Sequence, residues 1–92
     1  MGLKWPDKDP QAEKDYAVDW TDMLGDGETI TNAAWAVSPA GPTLSDDSVT
    51  DGVCTTWIAG GTADTVYTLT CTITTSRGMV DERSVTLKVK QL

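Results

Sequence analysis

The most regular stretch of the chain alternates apolar and hydroxyl side chains. Tyr67, Leu69, Cys71 and Ile73 take one parity, and Thr68, Thr70, Thr72 and Thr74 take the other. A period of two puts successive side chains on opposite faces of an extended backbone, so this stretch predicts a half-buried strand. Val85, Leu87 and Val89 repeat the pattern against Ser84, Thr86, Lys88 and Lys90, and Ser76-Arg77-Gly78 between the two runs supplies a turn. The two runs therefore predict a long β-hairpin. Upstream, Tyr16, Val18 and Trp20 share one face and define a strand over 15–21. Ile30 is out of phase with Ala33, Trp35 and Val37, which predicts a strand over 29–38 carrying one extra residue, a β-bulge, near Thr31 or Asn32. Residues 43–50 are polar apart from Leu44 and Val49 and predict an edge strand; residues 53–58 predict a short strand ending at Gly60-Gly61.

Six or seven short strands without helical periodicity point to an all-β domain, an antiparallel β-sandwich of about seven strands spanning residues 15–92. The expected core is Tyr16, Val18, Trp20, Trp35, Val37, Trp57, Tyr67, Leu69, Cys71, Ile73, Val85, Leu87 and Val89. Pro6 and Pro10 block a helix in residues 1–14, which read as an extended N-terminal arm. Leu3 and Trp5 must then fold back onto the domain or dock onto another molecule.

Composition narrows the function more than the fold. The 92 residues hold no histidine, which excludes imidazole catalysis and with it a Ser-His-Asp triad. The net charge of -7 opposes phosphate backbones and anionic membranes, so neither nucleic acid nor a membrane is expected as a partner. Eleven of the 14 acids lie in residues 1–52, which suggests an acidic pole. The amino terminus lacks the basic-then-apolar build of a signal peptide, and use without export is expected. Cys54 and Cys71 read as reduced, buried thiols, with a bridge between them open if their strands face each other.

Candidate chemistry is sparse. Asp46, Asp47 and Asp51 cluster near a glycine, and Asp26 pairs with Glu28, but neither set has the ligand spacing of an EF-hand, so no metal is expected. No hydroxyl has a neighbouring base and no phosphate-binding loop is present, so neither an enzyme nor a cofactor is expected. Arg83, in Asp81-Glu82-Arg83, is the most informative charge because guanidinium pairs bidentately with carboxylate, within the chain or across to a neighbour. Lys88 and Lys90 read as protection of a terminal strand's edge.

The segment from Gly61 to Ile73, with Ser76-Arg77-Gly78 and Val85 to Val89, resembles the last hairpin of Ig-like and PKD-like domains. A wider likeness runs through Trp5-Pro6, Lys8-Asp9-Pro10, Asp15 to Trp20, Ala33 to Val37, Thr56 to Thr62 and Asp81 to Ser84. Together these segments resemble the small virion proteins of tailed bacteriophages grouped as fibre-tail adaptors; Pro39 to Pro42 and Asp46-Asp47 depart from that pattern. The resemblance implies an Ig-like fold with a leading arm and a non-enzymatic structural role joining fibres to the tail or neck. It implies tail, neck or fibre proteins as partners, assembly as a symmetric ring in the particle, and synthesis in the host cytoplasm. Leu3, Trp5, Pro6 and Arg83 are the expected partner contacts. A capsid decoration or cement protein, with capsid neighbours, is the alternative from the same biology. An Ig-like carbohydrate or cell-surface module using Trp57 as a platform is the alternative from another class.

Overall fold

A computed structural model describes residues 3–91. Its strands are β1 (Leu3–Lys4), β2 (Glu13–Asp19), β3 (Ile30–Ser38), β4 (Thr43–Thr50), β5 (Val53–Ala59), β6 (Thr65–Thr75) and β7 (Val80–Val89). Six are full strands, and β1 is a two-residue segment, so the expected count of about seven is reached only with that fragment. They form two sheets, ordered β1-β7-β6-β3 and β2-β5-β4, antiparallel throughout except where β1 runs parallel to β7.

The β6–β7 hairpin turns at Ser76-Arg77-Gly78, as its sequence predicts, with Gly78 at φ 81°. The register of β3 on β6 shifts between Ile30 and Asn32, which is the predicted bulge. Strand β4 is an edge strand, and its own register slips between Ser45 and Ser48.

The sheets meet through Val18, Trp20 and Cys54 from one layer and Cys71, Ile73 and Val85 from the other. A second cluster sets Ile58 against Tyr67, Leu69, Leu87 and Val89. Without phenylalanine, tryptophan supplies bulk: Trp20 has no exposed surface, and burial of an indole contributes several kcal/mol, about 25 cal/mol for each Å² removed from water.

Two expectations need correction. Trp57, expected in the core, faces solvent; Cys54, Thr56 and Ile58 are the inward residues of β5. The run Val-Cys-Thr-Thr-Trp-Ile-Ala carries apolar groups on both phases, so alternation alone does not choose between them. Pairing with β2 does choose, because Tyr16 opposite Thr56 and Val18 opposite Cys54 fix those residues on the inner face. Strand β7 is not an edge, since residues 3–8 run beside it, so Lys88 and Lys90 do not guard one. Of the two fates open to the leading segment, residues 3–8 take the first and fold back onto the domain. Trp5 N–H donates to Thr86 O at 3.0 Å, Lys8 N–H to Lys88 O at 2.9 Å and Lys90 N–H to Lys8 O at 2.8 Å.

Candidate protein-contact surfaces

Of the residues expected to touch a partner, Trp5 is half-buried and packs against both core clusters. Its ring centroid lies 4.7 Å from that of Tyr16 and 6.1 Å from that of Trp35, both tilted, as aromatic rings prefer. Pro6 is exposed beside it, and Leu3 pairs through its backbone with Val85; its side chain lies outside the described residues.

Arg83 is also used within the chain. Its guanidinium carbon stands 4.5 Å from the centre of the Trp20 ring, and Nη1 donates to Asp19 O at 2.8 Å. Stacking on an indole with a hydrogen bond at the rim uses both the flat face and the fork of guanidinium. The Asp19 carboxyl, which accepts from the Thr21 hydroxyl at 2.6 Å, is held below the usual carboxylate range by that bond, helped by the Thr21 N–H and by Arg83.

Two charged side chains, Lys8 and Glu28, are buried, which their sequence neighbourhoods do not predict. Lys8 has no exposed surface, and its Nζ donates to the carbonyls of Asp9 at 2.9 Å and Gly60 at 2.8 Å. Burial pulls its pKa down, because the charged form loses its water. Glu28 accepts from Thr75 Oγ1 at 2.6 Å and from Gly25 N–H at 2.8 Å, and the Thr75 hydroxyl above all holds its pKa below the glutamate range. A proline-rich lysine segment and an acid in a glycine turn both read as solvated surface in one dimension. Each has one partner close by and one far along the chain, 52 and 47 residues away, and burial depends on the distant one.

Cys54 and Cys71 are free, buried and packed together from facing sheets. Desolvation, with the second sulfur adding to it, pushes Cys54 up to about 12, and burial raises Cys71 as well, so neither thiol is a ready nucleophile. Among the described residues, no three acidic or thiol side chains gather as metal ligands would. Asp46 and Asp47 occupy the slip in β4, where Asp47 accepts from the Thr56 hydroxyl at 2.7 Å. A shallow cleft of about 240 Å³ lies between the edges of β3 and β4, lined by Ile30, Asn32, Ala33, Asp47 and Val49 among others, with no activated nucleophile in it.

The outer face of β2-β5-β4 is different in kind. Directly paired residues share a face, so Asp15, Trp57 and Ser45 form one row across it, with Glu13, Ala59 and Thr43 on one side and Ala17, Thr55 and Ser48 on the other. Trp57 is 38% exposed amid small side chains.

A family model described as podophage GP4 fiber-tail adaptor protein gp77 matches residues 8–88. The chain belongs to that family. Among individually curated proteins, none matches it. Membership in the fibre-tail adaptor family supports a structural adaptor role, a place in the virion and contacts with other phage tail or fibre proteins.

Proposed function

We propose that this chain is a non-enzymatic building block of a podophage particle, an Ig-like sandwich that joins fibre to tail or neck through protein–protein contacts. The observation that carries this reading is the family match across residues 8–88. Strand order supports the Ig-like part. Lettered A to G in chain order, the strands pair as B-E-D and C-F-G, the constant-type arrangement with A moved across to join G. Tyr67 adds a second trait, since its hydroxyl accepts from Thr62 N–H at 2.8 Å, a bond back to upstream backbone like that of a tyrosine corner.

A partner contact made by Trp5 competes with its place in the domain, where it packs on both core clusters. Pro6 is the exposed remainder of the expected contact, and the two outer sheet faces offer more area. We infer a symmetric ring at the joint, because a fibre–tail connection repeats around the tail axis.

Cryo-electron microscopy of intact particles tests the reading. The expected result is density for this domain in one ring at the fibre–tail joint. Many copies spread over the capsid shell would favour the decoration reading instead, and a chain absent from particles would overturn both.

A further inference from the structure

We propose that the outer face of β2-β5-β4 is a docking site for an arginine-bearing segment of a partner protein, with Trp57 as its platform and Asp15 and Glu13 as its anions. The proposal rests on the adaptor reading for the partner's being a protein and on the following geometry for its chemistry.

Trp57 is misplaced for a residue serving stability. Trp20 is fully buried, and Trp5 and Trp35 pack on the core, whereas Trp57 sits on the solvent side of the central strand while Ile58 beside it is buried. The flanking positions Ala17, Thr55 and Ala59 are small, and 38% of the Trp57 surface remains open to solvent. An exposed flat aromatic ringed by small side chains has the shape of an interface anchor.

Charge identifies what it meets. The outer positions of β2 are Glu13, Asp15, Ala17 and Asp19, and no outer position of the three strands is basic among the described residues. Lys14 alternates to the other side, where its charge acts on Lys8. Asp19 already has Thr21 and Arg83, which leaves Glu13 and Asp15 facing solvent. The outer face of the other sheet has no such polarity. It presents Ala34, Ala36, Thr70 and Thr72, with Glu82 and Lys88 both on β7.

The molecule itself shows a guanidinium stacked on an indole: Arg83 lies over Trp20 at 4.5 Å and donates to the main-chain carbonyl of Asp19. The outer face adds a carboxylate beside its indole. Asp15 and Trp57 are directly paired, so their Cβ atoms are about 5 Å apart, and a guanidinium laid on the ring reaches the carboxylate with its edge. An ammonium offers no plane to stack and no fork, so arginine is preferred to lysine.

The test is an amide and indole NMR titration of the whole chain. One probe is the peptide Gly-Thr-Arg-Thr-Arg-Thr-Gly, another is its lysine twin, and a third is the neutral sugar maltohexaose. The Arg peptide should shift the Trp57 indole signal and the amides of 13–17 and 55–59, and its binding should weaken with salt. It should bind at least about fivefold tighter than the lysine twin, and D15N and W57S should each cost at least about fivefold. D15N keeps the test valid if W57S disturbs the sheet. The proposal is overturned by no shift at about 5 mM peptide, by equal binding of the two peptides, by shifts confined to the acidic loop near Asp22 and Asp26, or by maltohexaose taking the Trp57 face. The titration needs no particle, so absence of the chain from the fibre–tail joint would remove the adaptor reading alone. A chain found at the joint with Trp57 facing solvent would remove the docking face alone.

Discussion

The two ends of β6 are each closed by a buried charged side chain, and the two are held in opposite ways. Near Thr65, Lys8 reaches across to Gly60 and its burial works against its charge. Near Thr75, Glu28 takes a hydroxyl and an N–H, and these bonds favour its charge. The first end is therefore held mainly by shape and by capped carbonyls. The second is held by an ionised group and the backbone braced around it: Ser76 N–H to Thr29 O at 2.7 Å, Thr29 N–H to Ser76 Oγ at 3.0 Å and Arg77 Nη2 to Asp26 O at 2.9 Å. The ends should accordingly fail under different insults.

The largest effect is expected at Lys8. Lys8→Ala empties a buried site and takes the lysine donor from the Gly60 carbonyl, while Asp9 O keeps the Ala12 N–H, and this should cost about 3 kcal/mol, a large part of a small domain's stability. Lys8→Met keeps the stem and loses only the donor, so it should recover about half of that loss. Urea unfolding of both variants measures this. Equal midpoints for Lys8→Ala and the unsubstituted chain would show that residues 3–8 lie loosely on β7.

Next comes Gly61 at the same end. It holds φ 100°, and a Cβ there would stand 2.8 Å from Val89 Cγ2 and 3.4 Å from Tyr67 Cε2. Gly61→Ala should therefore cost about 1–3 kcal/mol from backbone strain and displacement of Val89 together. A matched Gly27→Ala change shares the positive φ but meets no atom within 4 Å, so thermal melting of the pair separates crowding from conformation.

This contrast also explains what the sequence discloses. Strands β6 and β7 alternate cleanly because one face is buried along their length, and the bulge at Ile30 is visible as a change of parity. Both features are local. The burial of Lys8 and Glu28 and the outward turn of Trp57 depend on strands far along the chain: β5 is phased by β2, and Lys8 is buried only once Gly60 and Val89 surround it. The docking face was illegible for the same reason, since Asp15 and Trp57 become neighbours only through pairing across 41 intervening positions. Charge asymmetry hinted at an acidic pole, but composition does not say which strand presents it or that an indole stands beside it.

The smallest and most selective effect is expected at the Glu28 end, in acid. Its bonds hold the carboxyl below the ordinary glutamate value, so as pH falls the unfolded chain takes up the proton before the folded one does. The stability this supplies is complete above the unfolded value of about 4.3 and is lost as pH falls through the lower folded value. Glu28→Gln keeps size and hydrogen-bonding capacity without the charge. Its deficit relative to the unsubstituted chain should be largest near pH 6 and shrink toward pH 3, roughly the span in which glutamates titrate. The difference between the two proteins isolates the contribution of the Glu28 carboxyl. If the Glu28→Gln deficit were flat across this range, the second end would be held by shape like the first, and the distinction between them would be lost.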